Sequence, residues 1–177
     1  LQFDHYGPVV DDPECRAYAA ELRTLIGTGQ DALPCRLHGP SVQIRDRLRQ
    51  ADWFVLPSTN EPCSLALIEA LALGLPGLVS ASGGNLDLVQ PNRTGLHFRP
   101  DSPESLADCL RQVLTGVPGL ADPLETRRSV QDRRASVVAA QYRALYERVL
   151  RQAPGQILGD LPQTARRLAP IRHCGDL

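Results

Sequence analysis

The sequence predicts an α/β chain built on a mostly parallel, doubly wound sheet, and three observations lead there. Short apolar runs alternate with helical patterns across brief loops, the signature of strand–helix units rather than of hairpins. The runs are almost continuously apolar, as in Trp53-Phe54-Val55-Leu56, which is how a strand covered on both faces reads. Pro and Gly stand at the starts and ends of the helical stretches, not inside them.

Taken in order, the apolar runs predict strands over Leu1–Tyr6, Pro34–His38, Asp52–Leu56, Pro76–Ser80 and Gly95–Phe98. The 3.6-residue patterns predict helices over Pro13–Ile26, Val42–Gln50, Ser64–Leu73 and Pro103–Leu114, with a short one near Leu86–Val89. Asp11-Asp12 before Pro13 and Gly27 after Ile26 bound the first helix, and Ser102-Pro103-Glu104 opens the fourth long one. After the bridge Val117–Pro123 a single long helix is expected from about Glu125 to Arg151. Residues 1–150 thus read as one domain. Residues 151–177, with weak periodicity and scattered Pro, Gly and Arg, read as a tail that is loosely attached or packs on something absent from this chain.

Composition bounds the function. A chain of 177 residues with 42% hydrophobic content can bury a core of its own. A net charge of -1 gives no reason to expect nucleic acid or an anionic membrane as a partner. All 19 basic residues are Arg, a bias that reads as genome composition rather than phosphate binding. With no Met, Leu1 reads as lying inside a longer reading frame or as the product of processing. No stretch approaches the roughly 20 apolar residues of a membrane span, and the start has no signal-peptide layout, so a cytoplasmic protein is expected. Cys15, Cys35, Cys63, Cys109 and Cys174 are odd in number and scattered, so they read as free thiols of a reducing compartment.

The chemistry concentrates in Leu56–Pro76. From Cys63 to Leu75 the segment is almost wholly apolar, and Glu69 is its one charge. A helix apolar on all sides is expected to be buried, and an ionised carboxylate there needs a cation, backbone donors or ligand hydroxyls. Glu61 lies in the loop before that helix, on the carboxyl side of a parallel strand, where open α/β sheets bind ligands. The N–H groups of Cys63, Ser64 and Leu65 would be the unpaired donors of the helix start, suited to an anion. Each glutamate also has a structural reading. Glu61 would favour the helix N-terminus by about 0.3–1 kcal/mol, and Glu69 would be tied to an Arg.

These residues, with their neighbours, resemble a known signature. A strand ending in Pro57-Ser58 leads to Glu61-Pro62, then an apolar helix bearing a second Glu, then Ala72-Leu73-Gly74-Leu75-Pro76. Glu61 and Glu69 stand at E-x7-E spacing. Gly83-Gly84 followed by Asp87-Leu88-Val89, the turn Asn92–Phe98 and the stretch Asp101–Leu114 extend the pattern in order. The chain resembles the glycosyltransferase 4-like (group 1) family, and within it the C-terminal, Rossmann-like half of a GT-B fold. Two positions depart from the family pattern. Cys63-Ser64 stands where Phe-Gly is usual, which restricts φ and adds a side chain that suits a helix cap. Asp87 replaces a Glu.

The resemblance implies a glycosyltransferase domain that binds a nucleotide-diphosphate sugar for transfer, typically with retention, to a hydroxyl acceptor. It implies that Glu61 lies beside the donor sugar and assists at the reacting face. It implies that the Cys63, Ser64 and Leu65 amides hold the sugar or diphosphate, and that Glu69 accepts from the ribose hydroxyls. His38, at the end of its strand, falls where the family places base-contacting backbone. Ser82-Gly83-Gly84 reads either as amides facing the donor or acceptor or as a tight strand-to-helix turn. No cofactor or metal is expected, since there is no D-x-D motif and His5, His97 and His173 have no ligand spacing. The resemblance places a basic Arg/Lys pair just before Leu1 and an acceptor-binding N-terminal domain elsewhere, through which peripheral membrane contact would occur. By itself the present chain is expected to be inactive. Tyr142 and Tyr146 match the terminal helix of the family, where packing is their ordinary role. Three alternatives share features of the sequence: a GT-B epimerase or glycan phosphorylase, a non-catalytic nucleotide-sugar-binding module or subunit, and a receiver-like doubly wound domain. The first lacks the expected active-site loops or cofactor lysine here, and the last would not require E-x7-E.

Overall fold

The computed structural model describes residues 1–28 and 32–151. The tail expected over 151–177, with Cys174 and His173, lies outside the described residues from position 152 onward. Elements follow one another as β1 (Phe3–Tyr6), α1 (Pro13–Ile26), β2 (Cys35–Gly39), α2 (Ile44–Arg49), β3 (Phe54–Leu56), α3 (Leu65–Ala72), β4 (Gly77–Ser80), α4 (Asn85–Leu88), β5 (Gly95–Phe98), α5 (Pro103–Thr115), α6 (Pro123–Arg128), a 3-10 turn (Gln131–Arg133) and α7 (Ala135–Arg151). The chain divides into two compact units, Leu1–Arg128 and one beginning at Ser129.

Among the described residues of the first unit every strand pairing is parallel. β1 pairs with β2, and β4 lies between β3 and β5 in a separate ladder. The fold is α/β with parallel sheets. α1 begins where Asp12 accepts from the N–H groups of Glu14 and Cys15, with Pro13 in the first turn, and ends at Gly27 with φ 72°. α5 is built in the same way, with Ser102 accepting from the Ser105 amide and Gly116 closing it at φ 92°.

The core sits around β4, whose four residues are all buried. On one face Leu78 packs with Leu96, Phe98 and Cys109, and Trp53, Val55, Leu106 and Leu110 close over them. On the other face a Cβ built on Gly77 would lie 3.0 Å from Val89 and 3.1 Å from Leu67, so the backbone there meets α3 and the α4 end directly. Leu67, Leu71, Leu78 and Val79 are fully buried. Each contributes about 1.5–3 kcal/mol relative to an exposed side chain. This burial on both faces is what the apolar strand runs predict. α1 and α2 contribute little to it, since Ala19 is the one buried residue on α1 and α2 has none.

Two expectations require correction. The single helix expected over Glu125–Arg151 is broken: α6 ends at Arg128, the 3-10 turn follows, and Arg134 at φ -64°, ψ 140° leaves helical geometry before α7 begins. The break falls at the boundary between the two units, in a stretch without Pro or Gly to mark it. The second correction concerns α3, which is not buried all round. Leu67, Ala70 and Leu71 form its inner face, while Leu65 is 74% exposed and Ala66, Glu69 and Ala72 are exposed with it. The Glu69 carboxylate is therefore solvated and carries no burial cost.

In the second unit α7 has no buried residue, and Tyr142 and Tyr146 are exposed with ring centroids 6.0 Å apart. Their contact is with each other, one turn apart on the helix. Among the described residues no helix is long and apolar enough to cross a membrane.

Candidate functional site

Parallel pairing puts the carboxyl ends of β3, β4 and β5 on one edge. The loop after β3 carries Glu61, and the loop after β4 carries Gly83 and Gly84. The two loops are bonded together. Gly84 N–H donates to the Glu61 carbonyl at 2.8 Å, and Asn60 N–H donates to Ser82 Oγ at 2.9 Å. Ser80 Oγ, fully buried, donates to the Ser58 carbonyl. Behind it the fully buried Asn85 donates through Nδ2 to the Ser80 carbonyl at 3.2 Å.

The glycines are explained by this contact. Gly83 has φ 54°, and a Cβ there would come within 2.5 Å of the Glu61 carbonyl oxygen. A Cβ on Gly84 would run into the carbonyl of Pro62. Asn60 also lies in the left-handed region at φ 58°, which Asn tolerates better than most residues. Of the two readings open for Gly83-Gly84, a turn that abuts protein backbone is thus present.

Beyond Glu61 the chain enters α3. Ser64 caps it, its hydroxyl oxygen accepting from Leu67 N–H at 3.2 Å, as a Ser at this position is suited to do. The hydroxyl takes one first-turn donor, and the amides of Leu65 and Ala66 lie ahead of it. Glu61 is half-buried and Cys63 is exposed. Among the described residues, the carboxylates of Glu61 and Glu69 enter none of the ion pairs. The structural reading that ties Glu69 to an Arg thus finds no partner among them.

His38 is placed differently. It stands near the end of β2, stacked on Tyr6 with ring centroids 4.5 Å apart and planes at 8°, and its Nε2 lies 2.6 Å from Asp4 Oδ1. Its contacts are with β1, not with the Glu61 loop. Cys15, Cys35, Cys63 and Cys109 are free thiols, and no cluster of metal-ligand residues occurs among the described residues. The sequence points to Ser82 only as the first residue of the Ser82-Gly83-Gly84 turn, and it does not point to Asn60, Ser80 or Asn85 as site residues. The one available signal was Asn60, a left-handed candidate directly before Glu-Pro.

Comparison with known proteins gives the geometry its context. A family model described as glycosyl transferases group 1 matches residues 35–129, which is more than half of the chain. The chain belongs to the group 1 glycosyltransferases. Glycogen synthase of Xanthomonas campestris is 31% identical over 106 residues, covering 59% of this chain and 22% of that protein. Glycogen synthase of Deinococcus deserti is 30% identical over 141 residues, covering 71% of this chain and 31% of that one. The chain therefore spans less than a third of the length of these relatives. Among solved structures, sucrose-phosphate synthase from Thermosynechococcus elongatus aligns with TM-score 0.70 and 26% identity, over 84% of this chain and 38% of that one. Anabaena HepE in complex with UDP-glucose aligns with TM-score 0.64 and 17% identity, over 82% of this chain and 40% of that one. That last likeness is one of fold. The stretch matched by the family model contains both Glu61 and Glu69.

Proposed function

We propose that this domain binds a nucleotide-diphosphate sugar and presents it for transfer, with retention, to a hydroxyl acceptor. The observation that supports the reading best is the interlocked loop pair at the carboxyl ends of β3 and β4. It holds Glu61 beside the start of α3, and Glu69 stands exposed further along the same helix.

In this reading Glu61 accepts hydrogen bonds from the donor-sugar hydroxyls and faces the reacting carbon. The amides of Cys63, Ser64 and Leu65 donate to the sugar or the diphosphate. As the bond between anomeric carbon and diphosphate oxygen breaks, its electron pair leaves with the diphosphate. Donors fixed at a helix start stabilise such charge without reorganising. Glu69 accepts from the vicinal ribose hydroxyls, an arrangement a free carboxylate satisfies with its two oxygens. His38 contributes at the nucleoside end, and the outer amides of Gly83 and Gly84 face donor or acceptor. The cations for the diphosphate come from the stretch just before Leu1, the acceptor site belongs to another Rossmann-like domain of a cytoplasmic protein, and any peripheral membrane contact runs through that domain.

Calorimetric titration with a panel of UDP-, GDP- and ADP-sugars tests this, on wild type and on Glu69→Ala. One nucleotide class is expected to give saturable heat, weakened in the variant. A folded sample that gives no heat with any donor contradicts the reading.

A further inference from the structure

We propose that Ser82 is a positioning residue for Glu61, acting through the left-handed backbone of Asn60. The proposal rests on the donor-binding reading above and names the device that aims its central carboxylate.

Three hydrogen bonds hang the loop after β3 from the end of β4 and the segment after it: Ser80 Oγ to the Ser58 carbonyl, Asn60 N–H to Ser82 Oγ at 2.9 Å, and Gly84 N–H to the Glu61 carbonyl at 2.8 Å. The last two bracket Glu61, one on the amide before it and one on its own carbonyl. Between them they hold the peptide plane before Asn60 and the one after Glu61, and so limit the direction in which the Glu61 side chain leaves the backbone. Asn60 has φ 58°, a left-handed conformation that Asn adopts more readily than most non-glycine residues and that a contact on its N–H stabilises further. Ser82 Oγ supplies the contact on its N–H. The anchor beneath is rigid, because Ser80 and Asn85 are both fully buried and Asn85 Nδ2 donates to the Ser80 carbonyl at 3.2 Å and to its hydroxyl oxygen at 3.3 Å.

The bond from Asn60 to Ser82 lies towards solvent, so its loss is replaced by water at small cost in stability. Its effect on the aim of Glu61 has no such substitute. A merely structural role would lower all ligand affinities together, whereas a positioning role lowers the part contributed by the sugar.

The test uses the full protein and compares a nucleoside diphosphate with its glucose conjugate by calorimetry, the UDP pair first and the GDP and ADP pairs beside it. In Ser82→Ala the extra affinity of the sugar conjugate over the bare diphosphate is expected to fall about three- to tenfold. Affinity for the diphosphate itself is expected to stay within about twofold. Ser82→Thr keeps the oxygen acceptor and is expected to restore the sugar contribution, with the thermal midpoint of each variant confirming folding. An unchanged sugar contribution in Ser82→Ala, an equal loss for both ligands, or no rescue by Thr would each overturn the proposal while leaving donor binding standing. A wild-type protein that binds no member of any pair removes the donor reading and this proposal together.

Discussion

Gly84 donates its N–H to the carbonyl of Glu61 at 2.8 Å, and its bare α-carbon faces the carbonyl of Pro62. A methyl group at Gly84 would collide with backbone, which cannot rotate away as a side chain could. Gly84→Ala is therefore expected to destabilise the domain by about 1–3 kcal/mol, the usual range for overpacking a tight contact. Urea denaturation checks this, and a midpoint equal to that of wild type would show that the loops separate at little cost.

The one-sidedness of α3 makes a paired prediction. Leu67 is fully buried against β4 and Leu65 is 74% exposed. Leu67→Ala is expected to cost about 2–5 kcal/mol through lost contact and a residual cavity, and Leu65→Ala within about 0.5 kcal/mol. Similar losses at both positions would mean that the outer face of α3 is covered in the full protein.

Cys63 sits between Glu61 and the Ser64 cap and is exposed, as Cys15 is on α1. The Cys109 thiol is buried, and burial, with the charge of Asp108 beside it, pushes its pKa up. Alkylation followed by mass spectrometry is expected to label Cys15 and Cys63 readily and Cys109 slowly, because the thiolate is the reactive form. A bound nucleotide sugar is expected to slow labelling at Cys63 and leave Cys15 unchanged. Equal rates at Cys63 with and without donor would count against its place in the site.

On β5, burial lowers the pKa of His97 below its ordinary 6.5, opposed in part by a hydrogen bond with the Val89 backbone. Its Nε2 is buried without a partner among the described residues. The unfolded chain then binds a proton at higher pH than the folded one, so stability rises with pH across this window. The contribution is fully present above about 6.5 and is lost as pH falls below that value. His97→Gln is expected to flatten this loss in denaturation curves at pH 7.5 and 5.5, roughly a one-unit step on either side of the ordinary value. A pH dependence unchanged by the substitution would assign the loss to other groups.

Much of this was legible in the sequence because local rules and tertiary packing agree. Pro13–Ile26 carries its own Asp12 cap and Gly27 stop, and Gly95–Phe98 is bounded by its turn, so both elements occupy the residues expected. The E-x7-E pair was visible as one charge in an apolar stretch and a second in the loop before it. What the sequence did not show is which face of α3 the sheet covers, because an almost wholly apolar helix has no polar stripe to mark the outside, and so Glu69 read as buried. The break at Ser129–Arg134 carries no Pro or Gly and was equally silent. The interlock of Asn60, Ser82 and Gly84 joins segments 22 positions apart in the case of Asn60 and Ser82, and no spacing rule reaches across that distance.

The central claim is that Glu69 reads the ribose of a bound donor, and a ligand-and-residue double cycle addresses it most directly. The best-binding nucleotide sugar and its 2′,3′-dideoxy analogue would be titrated into wild type and Glu69→Ala. In wild type the analogue is expected to bind about tenfold or more weakly, the scale of hydrogen bonds to a charged group. In Glu69→Ala the two ligands are expected to bind alike. A variant that still discriminates between them as strongly as wild type would contradict the account.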